Sequence, residues 1–261
     1  MSRHSKLLIL LGLTFATFVV AYFVPAIPQD PAFHDFADKR SWLGIPNFGD
    51  VVSNLGFLVV GLLGLYRILG PDRQALFDRP GDVVPYVAIF IAVTLVTIGS
   101  GYYHLAPDNV ALMWDRLPIT LAFMGLFAAV VADRIDRRAG MVLLPVLLIA
   151  GVASVLYWHF TEMAGQGDLR AYGISQFFPM VAIPLIVYLF RPGRYSDGRS
   201  IAWIFTAYVF AKIFELTDHQ IFDLLGGLVS GHSLKHLAAA VASYLLLRMV
   251  LSGARTAPAI T

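Results

Sequence analysis

The chain has 261 residues, of which 58% are hydrophobic and 14% charged, and its mean hydropathy is +0.72. Soluble domains are about a quarter charged, so a soluble globular protein is excluded and an all-α integral membrane protein is indicated. The net charge of +2 is too small to point to nucleic acid, and the lack of cysteine removes disulfides, thiolate metal sites and a cysteine nucleophile.

Eight apolar runs follow one another, at approximately 7–24, 51–69, 83–104, 110–132, 141–158, 173–190, 200–217 and 232–251. Each is about 17–23 residues, enough to cross a hydrocarbon core ~30 Å thick. They are continuous and rich in Leu, Ala, Val and Ile, which argues against the alternating pattern of membrane strands. The first run, within residues 1–25, follows Arg3 and Lys6 and reads as a retained transmembrane helix or signal anchor; Val24-Pro25-Ala26 is a poor cleavage site. Cleavage there would leave the other seven spans in the same orientation. Residues 26–50 form an outer loop carrying Asp30, Asp35, Asp38 and Asp50, residues 51–251 hold the seven-helix core, and 252–261 are a short tail. Pro145, Gly151, Pro179 and Pro184 interrupt the fifth and sixth runs, which bundled spans tolerate because neighbours satisfy the freed carbonyls.

Lys and Arg set the orientation. With the N-terminus cytoplasmic, that side holds 13 of the 19, including Arg67, Arg73, Arg134, Arg137, Arg191 and Arg194. The opposite loops hold Lys39, Arg40 and Arg170, while Arg116, Lys212 and Lys235 fall in or near helices. On that map His104 ends the third span, Asp115 follows just inside the fourth, and His232 and His236 open the eighth. All four are expected at similar depth, toward the non-cytoplasmic face.

Ionisable residues inside a span are costly and mark function by default. His232 and His236, four apart on a helix, share a face, about 40° and ~6 Å apart. With His104 they make the three-histidine pattern of catalytic zinc, which leaves a position open for water. The competing reading is three interfacial histidines bonding across helices. Asp115 suits a general base, a proton shuttle or a group orienting a histidine, against an ion pair with Arg116. Neighbours on a helix point about 100° apart, so Asp115 is expected to face inward and Arg116 not equally so. Ser100 lies one turn before His104 and suits an oxyanion donor, or packing through a backbone carbonyl. Lys212 and Glu215 are expected to pair; Asp218, His219 and Asp223 read as a solvated loop, and His159 as interfacial. Trp114, Tyr102, Phe177 and Phe178 are candidate acyl-chain contacts or ordinary packing.

The run Gly99-Ser100, His104, Asp115 and Leu117-Pro118, completed by His232-x-x-x-His236, resembles the alkaline ceramidases, within a superfamily that includes adiponectin-receptor-like proteins. Val52-Ser53-Asn54 resembles that family's first core helix, and the likeness covers about 45–251. The resemblance implies a seven-transmembrane-helix hydrolase bundle, with the first span here an addition. It implies zinc on His104, His232 and His236, assisted by Ser100 and Asp115, and hydrolysis of the amide of ceramide or a related N-acyl lipid. The family's calcium site uses an acidic N-terminal segment with a Trp-Glu-Glu pattern, which this chain lacks; Asp35, Asp38, Asn47 and Asp50 lie in the corresponding region, so calcium is not assigned. The expected partner is a membrane lipid, with no nucleic acid and no protein partner evident. The main alternative is an adiponectin-receptor-like receptor with a mainly structural zinc; a transporter would need charges near mid-membrane and paired broken helices.

Overall fold

The computed structural model describes residues 1–71 and 73–255. Among these, every regular element is a helix. They are α1 Arg3–Phe23, α2 Phe48–Val52, α3 Leu55–Leu69, α4 Arg73–Leu76, α5 Val84–Leu105, α6 Asn109–Arg134, α7 Arg137–Met163, α8 Arg170–Leu189, α9 Gly198–Leu216, α10 Asp218–Leu224 and α11 Gly231–Arg255. Seven helices or helix pairs among the described residues are long and apolar enough to cross a membrane, and α9 with α10 is an eighth only as a pair bent by 80°. The outward surfaces are apolar, with Ile98 67% and Ile149 70% exposed. A multi-pass membrane protein follows, since water would not tolerate such a surface.

The helix starts were written into the chain. Asp108, Asp136 and Asp197 each stand just before a helix, and their carboxylates accept from Ala111 N at 2.7 Å, Ala139 N at 2.8 Å and Ser200 N at 2.9 Å. The prolines of the fifth and sixth runs lie inside unbroken helices α7 and α8. The expected span at 51–69 begins earlier, at Phe48, and breaks at Ser53-Asn54. The expected span at 200–217 ends where α9 turns sharply into α10 at Thr217.

Helices α3, α5, α6, α8, α9 and α11 pack in sequence around a closed ring, with α7 outside against α6 and α8. Helix α1 has no buried residue and leans on α8. The core below the site is built from Phe57, Phe90, Val130, Ile183 and Leu247.

The turns sort to two ends. One gathers Arg3 near Asp136, Arg137 on Asp82, Arg194 on Asp78, and Arg134 on Ser196. The other gathers the 25–50 loop, where His34 meets Asn109, Ala37 meets Asp218, and Arg40 meets the carbonyl of Gly227.

Candidate metal centre

His104 lies in the last turn of α5, and His232 and His236 lie in the first two turns of α11, so two helix ends deliver three imidazoles to one point. All three are buried, and one ligand nitrogen from each lies within 4.8 Å of the others. The ring centroids are 4.7 to 5.0 Å apart.

The surrounding bonds fit a metal. Ser53 Oγ donates to the carbonyl of Asp50 at 3.1 Å and lies 2.8 Å from His236 Nδ1. With its proton so used, Ser53 accepts from His236 Nδ1–H, and Nε2 is left with its lone pair free. The buried Nδ1 of His104 has no hydrogen-bond partner. His232 Nε2 lies 3.3 Å from Lys235 Nζ, a long contact that ligation through that nitrogen would replace. Lys235 is itself held by Glu215 at 2.7 Å, and Glu215 also takes Lys212, as the spacing predicted.

Asp115 and Ser100 are both buried, at 7% and 2% exposure, and their side chains are neighbours. The backbone explains how α5 and α6 come so close. Pro118 has no N–H, so the carbonyl of Trp114, four residues earlier, has no helical donor. Gly99 lies against that carbonyl; a Cβ there would collide with Trp114 O. The Gly99-Ser100 and Leu117-Pro118 pairs are thus two halves of one contact.

The 100° between helix neighbours predicts Asp115 facing inward and Arg116 not equally so, and the structure differs. Both are buried, Arg116 at 4%. Its long side chain turns away from Asp115 and stacks on Trp158 at 4.1 Å and Tyr172 at 4.5 Å, and Nη2 donates to Gln29 Oε1 at 2.6 Å. Asp218 is a second correction. It is buried, and its carboxylate accepts from His232 N at 2.8 Å and Ala37 N at 2.9 Å. The bend after α9 exists to place it there, and Gly231 admits the turn because a Cβ would meet the Asp218 Cα at 2.7 Å. His219 and Asp223 are exposed as expected. His159 is half-buried.

The outer loop is a roof, which its acidic composition did not reveal. Phe36 is 5% exposed, with its ring 4.6 Å from His104 and 4.4 Å from His232. His34 bonds Tyr103 Oη at 2.8 Å and Asn109 Oδ1 at 2.9 Å, and Asn47 Nδ2 donates to the His104 carbonyl at 2.8 Å. Of Asp35, Asp38, Asn47 and Asp50, Asp35 pairs with Lys39, and Asp50 Oδ1 accepts from Ser230 and Ser233 at 2.6 and 2.8 Å. Burial would raise the Asp38 carboxyl, but hydrogen bonds from Arg40 outweigh it and hold the group below its usual range.

Beneath this roof lies a cavity of about 940 Å³. Its polar end carries Ser100, Asp115, Arg116, Glu215, Lys235 and His236; its apolar part follows Val96, Val93 and Ile89 down α5 and Ala239 and Leu246 down α11. Ser100 to Ile89 on α5 is about 16 Å at helical rise. Phe177 and Phe178 line it, whereas Trp114 and Tyr102 face outward, half exposed.

No protein-family model matches the chain, and no curated protein matches it.

Proposed function

We propose that the protein is a zinc-dependent intramembrane hydrolase that cleaves the amide bond of ceramide or a related N-acyl lipid to a fatty acid and an amine. One observation carries this reading: of a buried three-histidine cluster, His236 reaches the wall of a long apolar cavity, beside Ser100 and Asp115. An all-nitrogen donor set favours zinc over calcium or magnesium, and His104, His232 and His236 would hold it. Zinc there supplies Lewis acidity toward a carbonyl and toward water. Asp115 accepts a proton from the attacking water at its carboxylate and returns it to the leaving nitrogen. Ser100 donates a hydrogen bond to the developing oxyanion. The apolar channel receives the acyl chain, and the Phe36 roof keeps bulk water from the histidines.

The reading includes a seven-helix hydrolase core from α2–α3 onward, with α1 as an addition. Both termini are cytoplasmic, and the site lies toward the non-cytoplasmic face. Purified protein assayed for metal and for fatty-acid release from ceramides, N-acyl amino lipids and lipid esters tests it. One zinc per chain is expected, lost when any of the three histidines becomes Ala. Asp115→Asn should keep most zinc and lose turnover, and Ser100→Ala should lower turnover by ~10²-fold. Full zinc in the His232→Ala, His236→Ala double variant would overturn the metal assignment. Release only from esters would correct the substrate class; zinc without release from any lipid would favour the receptor alternative.

A further inference from the structure

Four cations line the cavity: Arg116, Arg170, Lys212 and Lys235. Arg170 is bonded to Asp168 at 2.7 Å, and the two lysines share Glu215. Arg116 differs. No carboxylate among the described residues comes within 4.0 Å of it, although it is 4% exposed. Among the described residues its side chain bonds only to the neutral Gln29, and its buried Nη1 has no partner. Stacking on Trp158 and Tyr172 fixes the plane of the guanidinium without neutralising its charge. A stacked, dehydrated guanidinium with an unpaired Nη1 is suited to a planar anion, because charge-assisted bonds to carboxylate gain most where water is excluded.

Its place in the cavity says which part of a ligand it would meet. Arg116 follows Asp115 directly. It is bonded to Gln29 and lies 5.5 Å from the ring of Phe33, both in the outer loop, whereas the apolar channel runs along α5 and α11 away from that end. If the acyl chain fills that channel and its amide reaches Asp115, the group beyond the amide nitrogen faces Arg116. We infer that Arg116 is an anion anchor, and that the cavity takes N-acyl amino acids, binding the carboxylate on the amine side. This inference rests on the hydrolase reading for its substrate, though not for its anion site. The reaction balances: R–CO–NH–CHR′–COO⁻ and water give R–COO⁻ and ⁺H₃N–CHR′–COO⁻. The amide C–N bond breaks, the water oxygen joins the acyl carbon, and both water protons end on the nitrogen. Ceramide offers no anion to Arg116.

The test compares N-oleoylglycine with its methyl ester, which keeps the amide and acyl chain but lacks the negative charge, on the zinc-loaded full chain in nanodiscs. Wild type should prefer the acid in kcat/KM by about tenfold to a hundredfold, the range of one charged hydrogen-bonded pair. In Arg116→Gln that ratio should fall toward unity, and Arg116→Lys should recover part of it, with zinc content measured for each. A structural role for Arg116 would lower both substrates alike and leave the ratio unchanged, which overturns the anchor; so does a wild type indifferent to the charge. Binding of the same two compounds to zinc-stripped protein, read as a shift in Tm, separates the two readings. Arg116-dependent preference for the acid with no hydrolysis of any lipid keeps the anchor and removes the hydrolase. Oleate binding as tightly as N-oleoylglycine would move the anchor to the acyl side and overturn the amino-acid assignment.

Discussion

Ser53 Oγ sits 2.8 Å from Nδ1 of His236, across the break between α2 and α3. Because the Ser53 proton goes to the Asp50 carbonyl, the serine can only accept from the imidazole, and this fixes which nitrogen His236 presents. Asn54 Nδ2 reaches the same carbonyl at 2.8 Å, so the helix break is held by side chains. Ser53→Ala should weaken zinc binding by about 10- to 100-fold, the cost of losing a partner that orients a metal ligand. Ser53→Thr, which keeps the hydroxyl, should stay close to wild type. Competition against a graded series of chelators measures this, and equal affinity for Ser53→Ala would remove Ser53 from the site.

Phe36 closes the other side. Its ring lies against His104 and His232 and packs edge-on with Tyr103 at 5.7 Å. Truncation to Ala should leave the ligands in place but admit water from the outer face. The expected result is faster zinc release to a chelator, by about tenfold or more, since the apolar shell around a metal controls solvent access. Phe36→Leu should release more slowly than Phe36→Ala. A release rate unchanged in Phe36→Ala would show that the loop does not seal the centre.

The metal constellation was legible because it is made of rare residues. His104, Asp115, His232 and His236 stand out in apolar helices, and the Lys and Arg count places them at one end without any structure. What the chain did not disclose depends on long-range contact. Asp218 looked like one polar residue in a polar loop, and only the 80° bend shows that its carboxylate receives the first turn of α11. Phe36 is one aromatic among 19 phenylalanines, and nothing local says that its loop folds inward. Helical angle alone does not place Arg116: a side chain that long can leave its Cα direction and bury its head among Trp158 and Tyr172. The Gly99–Pro118 contact lay between, with both residues visible as motif members but their shared carbonyl at Trp114 visible only in three dimensions.

Asp168 offers a pH test outside the spans. Its side chain is 6% exposed, and hydrogen bonds from Arg170 lower its pKa from the usual 3.8 to about 2. Arg170 also donates to the carbonyls of Ala21 at 3.2 Å and Val24 at 2.8 Å, so the pair ties the end of α1 to the start of α8. A pKa lower in the folded state means that the folded protein favours the ionised form. The stabilisation is therefore fully present above about pH 4 and is lost as pH falls toward 2. Thermal unfolding of wild type and Asp168→Asn across pH 2–7 should show a gap in Tm that is constant near neutrality and shrinks between about pH 4 and 2. A gap independent of pH would mean that the carboxylate charge contributes nothing.

The two ends of the bundle make orientation testable. Arg3, Arg134, Arg137 and Arg194 all lie at the end opposite the histidines, with Arg3 3.9 Å from Asp136 and Arg134 Nε 2.9 Å from Ser196. Basic turns stay on the cytoplasmic side because translocating them across the membrane is disfavoured. Reporter fusions after residues 75 and 195 should therefore report cytoplasm, and a fusion near 165, beside Asp168 and the outer loop, the opposite side. The fold links these positions rigidly: Leu169 N donates to Ile27 O at 2.8 Å, so the 165 region and the roof over the histidines must share one face. A cytoplasmic signal at 165 would reverse the whole molecule and place the metal centre, its roof and Arg116 on the cytoplasmic side.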